Sequence, residues 1–154
     1  IVGEPGNGWQ QVTSELAYER SGPERFLSSF RVFVELVRIC GDSPSPHQAA
    51  AIGRIASHFM TLRRMSLSVA GMLEAGKDVS VEAALVKELG NNFEKLLPEI
   101  ARLVVPDLSA VDPDKQRLFR ETFEETLMLS PSFTLRGGTR DAHIGSNERD
   151  LCVV

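Results

Sequence analysis

The sequence predicts an all-α fold, an up-and-down four-helix bundle with an irregular C-terminal tail. Three observations carry that expectation. Apolar residues recur at three- and four-residue steps in four long segments, the period that lines one face of a helix. Glycine and proline cluster between those segments, where short loops belong. No segment shows the sustained two-residue alternation, bounded by hairpin turns, that marks a half-buried strand.

Residues 1–8 hold three glycines and a proline and read as a linker, with 9–130 forming the bundle. The first helix is expected from Trp9 to Arg38, with Val12, Leu16, Phe26, Phe30, Phe33 and Val37 on its buried face. A kink is expected at Gly22-Pro23, because proline lacks an amide hydrogen and clashes with the preceding turn. Gly41 and Ser43-Pro44-Ser45-Pro46 form a loop, whose serine before proline suits the start of a helix. The second helix runs from about His47 to Glu74 with Ile52, Ile55, Phe59, Leu62, Ser66, Val69 and Leu73 inward, and Gly76 ends it. The third begins near Ser80 as its cap, carries Leu85, Leu89, Phe93, Leu96, Ile100 and Leu103, and bends at Pro98. Asp112-Pro113 opens the fourth, with Leu118, Phe119, Thr122, Phe123 and Leu127 on its apolar side. Residues 131–154 are expected to be a glycine loop and a mobile tail, since Gly145-Ser146-Asn147-Glu148-Arg149-Asp150 has too little apolar content to hold a core.

Several function classes are excluded by composition. The 154 residues are 42% hydrophobic and 25% charged, and no apolar run approaches the roughly 20 residues of a membrane span. With 17 Lys and Arg against 21 Asp and Glu, the net charge of -4 offers no footprint for nucleic acid or an anionic membrane. Cys40 and Cys152 are too few for a disulfide framework, so a reducing cytoplasm is expected. His47, His58 and His143 are isolated, and no phosphate loop or nucleophile motif occurs. The start at Ile1-Val2-Gly3-Glu4, without methionine or signal-peptide pattern, reads as a start inside a larger protein.

Two segments are more specific. Gly3-Glu4-Pro5-Gly6-Asn7-Gly8-Trp9 leads into Leu16-Ala17-Tyr18-Glu19-Arg20-Ser21-Gly22-Pro23-Glu24-Arg25, and Ser132-Phe133-Thr134-Leu135-Arg136-Gly137-Gly138-Thr139 follows the last helix. The first resembles the passage from the middle β-domain into the C-terminal helical domain of acyl-CoA dehydrogenases. The second is similar to the late loop by which that family closes over flavin and thioester. Their order and spacing extend the resemblance from the start of the chain to about Asp141.

The resemblance implies an enzyme of fatty acid or related acyl-CoA metabolism that uses flavin adenine dinucleotide and passes electrons to an electron-transferring flavoprotein. It also implies a homodimer or tetramer, with exposed apolar residues of the second and third helices at the subunit contact, and no activity from these residues without the family's other domains. Its reaction needs a carboxylate base, which some members place just before the Gly-Thr pair of the late loop. Here that position is Gly137, and the alternative placement, on the first helix before an arginine, matches Glu19-Arg20. The resemblance thus implies Glu19 as catalytic base and Arg20 as a substrate-binding residue at the thioester. Arg38, Gln48, Gly138 and Thr139 are implied in flavin binding, the first two often toward a neighbouring subunit. The usual Arg-x-x-Phe-Gly is reduced to Arg38-Ile39-Cys40-Gly41, and beyond Asp141 the family's apolar and basic run is absent.

From the residues alone, Glu19 is an exposed helix glutamate, Arg20 a partner for Glu15 or Glu24, and Arg38 a helix-end arginine bound to carbonyl groups. A bundle that keeps subunit association without flavin chemistry is the rival reading, and an unrelated ligand-sensing helical domain is a third.

Overall fold

A computed structural model of the protein describes residues 3–137. Among the described residues the fold is all-helical, with no strand. The helices are α1 (Gly8–Ser21), α2 (Phe30–Cys40), α3 (Pro46–Glu74), α4 (Ser80–Val104) and α5 (Pro113–Leu129), with 3₁₀ turns at Pro23–Arg25, Leu108–Ala110 and Ser130–Leu135. The calls for Gly138, Thr139, Asp141 and the mobile tail lie outside the described residues.

The single first helix predicted from Trp9 to Arg38 is two helices. Gly22 is extended (φ -64°, ψ 157°), the conformation that a following proline imposes, and Pro23 starts a 3₁₀ turn instead of continuing α1. The break resets the helical phase. In α2 the buried stripe is Val32, Glu35, Leu36 and Ile39, whereas Phe30 and Val37, assigned inward from a continuous period, are exposed.

The ends of α3 follow their local chemistry. Ser45 Oγ accepts from Gln48 N while Gln48 Oε1 accepts from Ser45 N, a reciprocal capping box, and Pro46 fills the first turn. Gly76, at φ +69°, turns the chain after Glu74. At α4 the capping acceptor is Asp78, whose carboxylate receives Ser80 N and Ser80 Oγ, so Ser80 begins the helix without capping it. Asp112 takes the amides of Asp114 and Lys115 to start α5.

α4 is central, packing on α1, α2, α3, α5 and two of the 3₁₀ turns. It lies antiparallel to α3: Gln48, at the start of α3, reaches Val104 at the end of α4, while Val69 clusters with Val79, Ala83 and Val86. The main core joins Leu36, Ile55, Phe59, Phe93, Leu97 and Phe119 from α2 to α5, with Phe26 ahead of α2. The predicted inward stripe of α4 is corrected. Phe93 is buried, but Leu85, Leu89, Leu96 and Leu103 are exposed, and the buried stripe contains Lys87, Gly90, Asn91 and Glu94. Those four positions recur at helical spacing on the face toward α1 and the Ser130–Leu135 turn, so a polar seam runs between the elements that carry the candidate site.

Candidate functional site

Glu19 and Arg20 occupy the last turn of α1, and the break after Ser21 determines what they meet. The Pro23–Arg25 turn folds Arg25 back beneath the helix end. Its Nε donates to the Glu19 carbonyl oxygen at 2.8 Å and its Nη2 to Glu19 Oε1 at 2.5 Å. One guanidinium therefore satisfies a terminal carbonyl of α1 and pairs with the side chain of the same residue. Ser66 Oγ of α3 donates to the neighbouring Ser21 carbonyl at 2.6 Å. Arg25 is 2% exposed while Glu19 is 48% exposed, so the carboxylate stands at the rim and its partner beneath it.

The turn rests directly on α4. A Cβ at Gly90 would lie 2.3 Å from the Arg25 carbonyl oxygen, so only glycine lets the two backbones approach this closely. One turn earlier, Lys87 is buried, and desolvation pushes its ammonium below the ordinary lysine value. Arg20 and Arg25 add to that shift, and Glu88 and Glu19 oppose it.

One turn further, Glu94 is fully buried and holds the late loop. Its Oε2 accepts from Arg136 Nη2 at 2.5 Å and its Oε1 from Ser29 N at 3.1 Å. Arg136 Nη1 also donates to the Glu24 carbonyl at 2.9 Å and to Ser28 Oγ at 2.7 Å, and the guanidinium stacks over Phe133 at 4.3 Å. Burial raises the Glu94 carboxyl above its ordinary value; Arg136 and the backbone amides of Ser28 and Ser29 oppose the shift.

These contacts seat Gly137 against α1. It is buried, at φ +72°, and its carbonyl accepts from Arg20 Nε at 3.2 Å. A Cβ there would meet Arg20 Cγ, Arg25 Nη2 and Lys87 Cδ at 3.4 to 3.5 Å. Arg20 is half-buried, and desolvation lowers its pKa, with Glu19 opposing and Arg25 adding to the shift. The end of α1 and the glycine turn thus converge, with Glu19 and Arg20 at the junction.

Arg38 and Gln48 lie elsewhere. Arg38 extends from the end of α2 and pairs with buried Glu35 at 2.6 Å. Gln48 uses its side-chain oxygen in the capping box and its nitrogen to donate to Val104 O at 3.0 Å. Eighteen residues of continuous helix separate it from Ser66, which touches the end of α1, a rise of about 27 Å. Within one chain, then, these two residues and Glu19 serve different places. A groove of about 500 Å³ between α3 and α4, lined by His58, Leu62, Met65, Leu89, Phe93 and Leu96 among others, includes none of the candidate residues. His58 stacks there on Phe93 at 5.0 Å, and the described residues hold no group of side chains suited to a metal ion.

Arg25, Lys87, Gly90, Glu94 and Arg136 were not singled out from the sequence. For the three on α4 the signal was present as a polar stripe at positions 87, 90, 91 and 94, with a glycine where a helix favours alanine, and for Arg25 and Arg136 no helical period carries one. Compared with protein-family models, with curated proteins and with solved structures, the chain matches none of them.

Proposed function

We propose that the chain is the C-terminal helical domain of a flavin-dependent acyl-CoA dehydrogenase, acting on an acyl-CoA thioester in the cytoplasm and delivering electrons to an electron-transferring flavoprotein. One observation carries the reading: the last turn of α1 meets the glycine turn, through Arg20 Nε and Gly137 O, across 117 residues of sequence. That juxtaposition is what the resemblance requires of a base on the first helix and a loop that closes on the substrate.

In this reading Glu19 takes the α-proton of the thioester while the β-hydrogen leaves as hydride. Flavin, when bound, would supply the acceptor for that hydride. Arg20, tied to the loop carbonyl, orders the thioester end, and the absence of a side chain at Gly137 lets the loop backbone close on Arg20, Arg25 and Lys87. Gly138 and Thr139 would approach the cofactor, and Arg38 and Gln48 would serve the flavin of a neighbouring subunit, where the Gln48 contacts with Ser45 and Val104 would have to give way. The test is the visible spectrum of the purified full-length protein with acyl-CoA added without oxygen. A flavin band that bleaches supports the reading, and a protein that takes up no flavin refutes it.

A second reading, a bundle kept for association without flavin chemistry, is favoured by the exposed row Leu85, Leu89, Leu96 and Leu103 on α4. It shares the expectation of a homodimer or tetramer and differs in requiring no bleaching.

A further inference from the structure

We propose that Arg25 is the positioning residue of the site, a fixed fork that aims the Glu19 carboxylate; this rests on the reading of Glu19 as base. The guanidinium makes hydrogen bonds only to Glu19 among the described residues: Nε to its carbonyl oxygen and Nη2 to its Oε1. Glu24 Oε1 stands at 3.8 Å from Nε, outside hydrogen-bond reach, and Nη1 is buried without a partner.

Burying an arginine so incompletely satisfied is costly, and a buried ion pair is weak as a source of stability. An apolar side chain of similar length would fill the space without that cost. What the guanidinium adds is direction. Two parallel bonds from a planar fork hold backbone and carboxylate of one residue in a single relation, which a point charge does not reproduce. The backbone that bears the fork is seated on α4, where the Arg25 carbonyl lies against Gly90. From α4, Lys87 crowds the same place, so the fork cannot turn away without approaching another cation. Glu19, half-exposed on a helix end, has no comparable restraint from its other neighbours in the described residues.

The experiment is single-turnover flavin bleaching by acyl-CoA in the full-length protein, with ordinary and α-deuterated substrate, comparing wild type with Arg25→Met, Arg25→Lys and Glu19→Gln. Thermal unfolding is followed in parallel. Arg25→Met should keep the fold and the substrate affinity but slow bleaching by about 10²-fold, the scale of a misplacement near 1 Å, and enlarge the deuterium effect. Arg25→Lys, which is less disruptive if the methionine variant does not fold, should slow it by about tenfold with the same isotope signature. Wild-type bleaching in either variant, or a loss traceable only to weaker acyl-CoA binding, overturns the proposal. The melting temperatures give a readout independent of flavin: in the double variant the effects of Arg25→Lys and Glu19→Gln should not add, and strict additivity counts against the fork. If Glu19→Gln itself bleaches normally, the assignment of the base fails first, which separates that failure from this one.

Discussion

Gly90 offers the sharpest test of how the site is built. In Gly90→Ala the new methyl would sit 2.3 Å from the Arg25 carbonyl oxygen and 3.0 Å from its carbon. Restoring an ordinary contact of about 3.4 Å requires a retreat of roughly 1 Å by one backbone or the other, and a backbone cannot rotate aside as a side chain can. Overpacking of this kind costs about 3 kcal/mol at the upper end of its usual range. Alanine returns about 1 kcal/mol through its higher helix propensity. The net loss of about 2 kcal/mol should lower the melting temperature by about 4–8 °C. Gly53 in α3 is the control, because it is helical and exposed, with nothing within 4 Å of a Cβ built there. Gly53→Ala should raise the melting temperature by about 2–4 °C, so one chemical change has opposite signs at two sites. Circular dichroism melts of both variants decide it. A Gly90→Ala protein that melts at or above wild type would show that the Pro23–Arg25 turn does not rest on α4, and the seating of Arg25 would be lost with it.

Three further outcomes follow from the same contacts. Gln48→Ala removes half of the capping box and the bond to Val104, and should destabilise by about 1–2 kcal/mol, seen as a drop of a few degrees in melting temperature; no change would mean that both contacts are dispensable. Because burial raises the folded pKa of Glu94, the native state holds that proton more tightly than the unfolded chain; this contribution to stability is complete below the ordinary carboxyl value and is lost as pH rises through the raised one. Glu94→Gln should flatten that slope in pH-dependent unfolding, and an unchanged slope would assign it to another group. Charging the exposed row, with Leu96→Glu and Leu103→Glu together, should leave the melting temperature of the isolated chain nearly unchanged while shifting sedimentation toward smaller species, and unaltered sedimentation would remove that row from any subunit contact.

Helix ends were the most legible part of the fold, because each depends on a few adjacent residues: Ser45-Pro46 for the start of α3, Gly76 for its end, and Asp112-Pro113 for α5. The break at Gly22-Pro23 was visible, but its consequence was not. A period carried across it placed Phe30 and Val37 inward, whereas the eight residues between α1 and α2 restart the helix on another phase. α4 misled for a different reason. Its leucines form a regular stripe, and charged side chains usually face water, yet Lys87 and Glu94 are buried because Arg136 meets one and the glycine turn lies over the other. At the candidate site, the pairing of Glu19-Arg20 with the glycine segment came from resemblance, and the Arg20–Gly137 contact brings those segments together. Arg25 stayed hidden because its role depends on the chain doubling back, which no helical period records.

The base itself can be tested in a single comparison. With the full-length protein loaded with flavin and mixed with acyl-CoA in one turnover, Glu19→Gln should slow bleaching by about 10²–10⁴-fold, the usual contribution of a positioned general base, while flavin content stays at the wild-type level. Bleaching at the wild-type rate in that variant would contradict the assignment of Glu19.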